Sequence, residues 1–106
     1  MGYGNLAKMA QQMQAEMAKV QAEIETMSVE GTAGGGVVKA VVNGHGEVVS
    51  LTISPDAVSS DDVEMLQDLI TAAVNDGVHQ VKAQIDEKTK RITGGMNIPG
   101  MPGMIG

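Results

Sequence analysis

The apolar positions between residues 5 and 27 alternate by fours and threes. Leu6, Ala10, Met13, Met17, Val20, Ile24 and Met27 form a seam repeating about every 3.5 residues, the pattern of a helix lying along another helix. The intervening Ala, Gln, Lys, Glu and Met are good helix formers, and neither Gly nor Pro interrupts them. From Met27 the pattern changes to alternation, and a strand is predicted through Thr32. Two further strands are predicted over Val37–Val42 and Val48–Ile53, with Val49, Leu51 and Ile53 sharing a face. The triplet Gly34–Gly36 predicts one turn. Asn43-Gly44-His45-Gly46 predicts another, of type I′, in which both central residues take positive φ. Pro55 closes the third strand. Ser59, Ser60 or Asp61 is positioned to cap a second helix, with Glu64 completing a capping box after Asp61. That helix keeps its period from Val63 to Ile85 and runs to about Arg91. Gly77 interrupts it at a cost of about 1 kcal/mol against Ala, which marks close packing against the sheet or a partner. The fold class expected is α+β, in the order α-β-β-β-α. It comprises a domain over residues 1–93 and a flexible Gly/Pro/Met-rich tail over 94–106.

The chain has 106 residues with one Tyr and no Phe or Trp. Large side chains to cover the first seam within one subunit are scarce, and a domain this small buries only about 60–70% of its unfolded surface. A homodimer is therefore expected, with Leu6, Met13, Met17, Val20, Ile24 and Met27 in its interface. The chain has no Cys, so it has neither disulfides nor thiolate chemistry. Its first residues lack a signal-peptide pattern, and no run approaches the roughly 20 apolar residues of a membrane span. A soluble cytoplasmic protein without membrane contact is expected.

The formal net charge is −6, which taken as a whole argues against nucleic acid. Screening over about 8 Å at physiological salt makes local segregation of charge the relevant quantity. One segment is locally basic: Lys82, Lys88, Lys90 and Arg91 outweigh Asp86 and Glu87. These four residues suit phosphate contact, and they equally suit compensation of the dipole at a helix C-terminus. Lys8 and Lys19 on the first helix are secondary candidates, and Lys39 on a strand is a weaker one. The Met-bearing seam likewise suits either packing or an adaptable binding surface.

Nothing in the chain resembles a catalyst. The glycine triplet lacks the Lys-Ser/Thr of a phosphate-binding loop and leads into a strand. His45 falls in a turn, and His79 lies beside Asp76 on the second helix, where an intrahelical contact is expected. Neither has the partner spacing of a metal site. Asp61, Asp62 and Glu64 read as an acidic first helical turn. No serine has a base to activate it. Neither an enzyme nor a cofactor is expected.

Several segments in this order carry a family resemblance. They are Asn5-Leu-Ala-Lys-Met-Ala-Gln-Gln-Met-Gln14, Val29-Glu-Gly-Thr-Ala-Gly-Gly-Gly-Val-Val-Lys-Ala40, Val42-Asn-Gly-His-Gly-Glu-Val48 and Ile53-Ser-Pro-Asp-Ala-Val58. The helix from Asp61 to Asp76 and the tail from Gly94 to Met101 continue the match. The chain resembles the YbaB/EbfC family of bacterial nucleoid-associated proteins. The resemblance implies a tweezer-like homodimer with a sheet core and protruding helices that hold double-stranded DNA. It also implies low sequence specificity, a nucleoid location and an effect on gene expression. It directs Lys82, Lys88, Lys90 and Arg91, with Lys8 and Lys19, to DNA. The acidity of this chain implies modest affinity. The alternative is an acidic dimeric adaptor that grips a protein partner through its Met-rich helices or tail.

Overall fold

The computed structural model describes residues 3–96. Helix α1 spans Tyr3–Thr26, strands β1, β2 and β3 span Ser28–Ala33, Val38–Asn43 and Val48–Ile53, and helix α2 spans Val63–Met96. Short 3-10 turns at Gly34–Gly36 and Pro55–Ala57 join them. The strands form an antiparallel sheet in the order β1-β2-β3. The expected element order is therefore the observed one. None of the described helices is long and apolar enough to cross a membrane.

The sheet carries its apolar positions on the face that meets α2. Val29, Gly31 and Ala33 of β1 pair with Val42, Ala40 and Val38 of β2, and Ala40 and Val38 pair in turn with Leu51 and Ile53 of β3. A bulge between Val41 and Val42 shifts the register, so that Val48, rather than Val49, stands opposite Val42. Helix α2 crosses β1 and β2 and leaves β3 outside its footprint. Val38, Ala40 and Val42 beneath it and Ala73 on the helix itself are completely buried, whereas every residue of β3 except Ile53 is exposed.

The seat of α2 on the sheet is a contact between two backbones. A Cβ added to Gly31 would fall on the Ala73 carbonyl and the Gly77 nitrogen. One added to Gly77 would lie 2.6 Å from Val42 Cγ2. Two apolar clusters flank this contact. Met27, Val29, Val42 and Val81 lie on one side, and Val38, Ala40 and Ala73 on the other. Side chains of α2 then satisfy the free edge of β1. Asp76 Oδ2 accepts from the Thr32 backbone N–H at 3.0 Å, and Gln80 Nε2 donates to the Glu30 carbonyl at 3.0 Å and to Asp76 Oδ2 at 3.2 Å. Asp76 thus binds Thr32 and Gln80 where a contact with His79 was expected. Among the described residues β3 has no comparable cover at its edge.

Three local expectations are corrected. The β2–β3 turn is not type I′, because its left-handed glycine is Gly46 (φ 80°) and not Gly44. Asn43 Oδ1 accepts from the backbone N–H groups of His45 (2.9 Å) and Glu47 (3.0 Å), an arrangement that builds the turn around the Asn side chain. Gly44 serves close approach instead, since a Cβ there would collide with the Ile24 carbonyl at the end of α1. The cap of α2 is Asp62, whose Oδ1 accepts from Met65 N at 3.1 Å, while Ser59 Oγ serves the turn before it. Finally, α2 continues through Gly94 and Gly95 to Met96, so its last turn holds no basic residue. Lys88, Lys90 and Arg91 therefore stand short of the helix end, and dipole compensation does not explain them. The rest of the expected tail lies outside the described residues.

At 34 residues α2 is much longer than the sheet is wide. Its C-terminal part leaves the sheet and packs antiparallel against α1, so that Ile24 joins the Val81 cluster and Lys88 reaches Glu23. The result is a body with an arm. The molecule measures 72 × 27 × 16 Å, and its radius of gyration of 19.8 Å far exceeds the roughly 13 Å of a compact chain of this length.

Gly31→Ala should destabilise the protein by about 2–3 kcal/mol in urea unfolding, because the new methyl meets backbone that cannot turn aside. Gly4→Ala, with nothing within 4 Å, should not destabilise and at most stabilises α1 by up to about 1 kcal/mol, so it serves as the control.

Candidate functional site

The arm brings together charges that are remote in sequence. Helix α1 from Gln12 to Glu23 and helix α2 from Lys88 to Ile92 line an open groove of about 420 Å³. Met13, Val20 and Ile92 supply apolar lining. Lys19, Lys88 and Arg91 supply three cations, and Glu16 and Glu23 two carboxylates. The local excess is thus one positive charge, against −6 for the whole chain.

The cations differ in how far they are committed. Lys88 Nζ lies 3.5 Å from Glu23 Oε1, and its side chain is only 20% exposed. Lys90 Nζ lies 3.1 Å from Asp86 Oδ2 one helical turn back, with both side chains open to solvent. Exposed pairs of this kind contribute about 0–1 kcal/mol and are screened by salt. Lys19 and Arg91 are exposed and take part in no ion pair among the described residues.

The basic run of α2 does not form one face. At about 100° per residue Lys88 and Arg91 are about 60° apart, whereas Lys82 is about 120° from Lys88 and Lys90 about 160° from it. The fold therefore joins Lys88 and Arg91 to Lys19 across the arm, while Lys82 and Lys90 are exposed on other sides of the helix. Lys8 is exposed on α1 within about 20° of Lys19, so the two extend one line along the arm. Lys39 is exposed on β2.

The first seam divides along its length. Val20 and Met27 are buried within the single chain and Ile24 packs on the same cluster. Leu6 and Met17 are exposed at 63% and 43%, and Met13 is half-buried. A second uncovered apolar surface, not expected from the sequence, is β3. Val48, Val49 and Leu51 are 44%, 59% and 41% exposed there, and Val63 and Met65 at the start of α2 are exposed as well. His45 Nε2 lies 3.1 Å from Glu25 Oε2, pinning the β2–β3 turn to the end of α1. Among the described residues no group of His, Asp or Glu could hold a metal ion.

An elongated α+β body bearing a helical arm with exposed cations can be compared with known proteins. Residues 1–96 match the model of the YbaB/EbfC DNA-binding family. A nucleoid-associated protein of Thermoanaerobacter pseudethanolicus is 53% identical over 97 residues, covering 92% of this chain and 87% of that one. A nucleoid-associated protein of Chloroflexus aurantiacus is 50% identical over 96 residues, covering 91% and 96%. Among solved structures, the crystal structure of an uncharacterized protein from Helicobacter pylori superposes with a TM-score of 0.63 at 27% identity, covering 91% and 97%.

Proposed function

Since the chain belongs to the YbaB/EbfC DNA-binding family, a family of non-enzymatic proteins, we propose that it binds double-stranded DNA as a homodimer with little sequence specificity. On this reading it acts in the nucleoid and influences gene expression. The observation that carries the proposal is the arm, where Lys19 and Arg91 stand exposed beside Lys88 and, among the described residues, make no ion pair. Cations of this kind contact phosphates, which fixes position on a duplex without reading bases. No aromatic side chain lies among them to stack on a base. Lys8 extends the contact along α1, and Lys82 and Lys90 add charge around α2. Glu16, Glu23 and Asp86 repel phosphate and keep affinity modest.

The second copy docks on β3. An open strand edge flanked by exposed apolar residues is a surface that monomeric proteins protect. Here α2 protects β1 through Asp76 and Gln80, while among the described residues nothing comparable covers the edge of β3 beside Val49 and Leu51. Pairing two copies at β3 doubles the number of arms and hence of phosphate contacts.

Two variants test these points. Replacing Lys19 and Arg91 together by Ala should weaken binding to unrelated duplexes alike, by about tenfold, with the fold intact by circular dichroism. Equal binding by the folded double variant would remove the arm from the interface. In light scattering, Leu51→Lys should raise the dimer dissociation constant at least about tenfold, equivalent to about 1.4 kcal/mol. Leu51 is partly exposed, so the monomer should remain folded, and an unchanged mass would place the interface elsewhere.

A further inference from the structure

Among the basic side chains of the two helices, Lys88 alone is drawn in from solvent. Its side chain is 20% exposed, whereas Lys8, Lys19, Lys82, Lys90 and Arg91 are exposed residues. The local packing accounts for this. Ile24 near the end of α1 and Ile85 of α2 pack on the same core cluster, which brings the helices together about one turn from Lys88. Farther out along the arm, Val20 of α1 and Ile92 of α2 are buried. Glu23 and Lys88 fall between these two apolar levels, and Lys88 Nζ lies 3.5 Å from Glu23 Oε1. Among the described residues Lys88 has no other ion-pair partner.

At 3.5 Å the pair is close enough for attraction and too long for a charge-assisted hydrogen bond, which brings N and O to about 2.7–2.9 Å. An ammonium carries three N–H donors, so the carboxylate holds Lys88 without saturating it. Both residues line the groove in which Lys19 and Arg91 stand exposed. A phosphate drawn to Lys19 and Arg91 therefore arrives beside an ammonium already neutralised by a carboxylate of its own chain. Glu16 lines the same groove about 10 Å, or two helical turns, farther out along α1. It is exposed and makes no ion pair among the described residues.

We propose that Glu23 is a built-in competitor for phosphate, which occupies Lys88 in the free protein and leaves Lys19 and Arg91 to make the first contacts with the polyanion. The inference rests on the reading of the arm as the DNA-binding surface. Its signature lies in the response to salt. Each phosphate contact releases counterions and steepens the fall of log K with log salt by about 0.9. When Lys88 exchanges Glu23 for a phosphate, the freed carboxylate gathers a cation from solution, so this lysine adds little to the slope. Removing the carboxylate lets Lys88 count in full.

Duplex binding by the full chain, Glu23→Gln and Glu16→Gln, each titrated in salt, tests this. Both variants remove one negative charge from the groove, but only the first frees Lys88. Glu23→Gln should bind at least about fivefold more tightly than Glu16→Gln at low salt, with a slope steeper by about 0.9 for each arm engaged. In a Lys88→Gln background the two changes should have equal effects. Equal affinities and slopes for the two single variants, both folded by circular dichroism, would overturn the proposal. A second readout needs no DNA. With 13C-labelled lysine, inorganic pyrophosphate should move the Lys88 ε-carbon signal further in Glu23→Gln than in the unchanged chain or Glu16→Gln. Equal movement in all three, or none in Glu23→Gln, would also overturn it. The expected movement in a protein that binds no duplex at low salt would uphold the competition and remove DNA as the polyanion.

Discussion

Everything in this molecule hangs on the contact between Gly31 of β1 and Gly77 of α2. Helix and strand meet there with no side chain between them, and the Ala73 carbonyl lies where a Gly31 methyl would be. Gly77 is unfavourable for an isolated helix by about 1 kcal/mol, but the approach it permits buries the valines and alanines on either side. These residues are small. With neither Phe nor Trp in the chain, a close interhelical and helix–sheet distance is the available route to a dense core. The same seating places Asp76 and Gln80 over the edge of β1.

What the contact leaves uncovered is where the proposed function is placed. By sitting over β1 and β2, α2 leaves β3 open. By outrunning the sheet, it carries Lys88 and Arg91 out to meet Lys19 on α1. The Gly44 approach to the end of α1, with His45 and Glu25 beside it, sets where the arm joins the body. One side of the protein is thus suited to self-association and the far end to a polyanion. On the proposed function, a net charge of −6 is compatible with phosphate contact because screening over about 8 Å makes the local charge of the arm the relevant quantity.

Most of the fold was legible in the residues. The change from a period near 3.5 to alternation and back located both helices and all three strands, and Gly77 announced a close approach. Gly31 gave no such signal, because its need for a missing side chain exists only once α2 lies on it. The β2–β3 turn was misjudged because Asn43 binds two backbone N–H groups with its side chain, which moves the left-handed residue to Gly46. The site was less legible. A run of basic residues in sequence is scattered around a helix, so only Lys88 and Arg91 of the four on α2 converge. Lys19 and the opposing Glu23 come from another helix, and no local pattern links them to α2. Nor did the alternation of β3 reveal that α2 would miss it.

On the proposed function, charge on the arm is the source of DNA affinity, and the salt dependence of binding measures this most directly. Fluorescence anisotropy of a labelled random duplex, titrated with protein at several salt concentrations, should show log K falling linearly with log salt. If about four phosphates are engaged by the dimer, the slope should be roughly −3.5. Absence of binding at low salt, or binding that is insensitive to salt, would contradict the account.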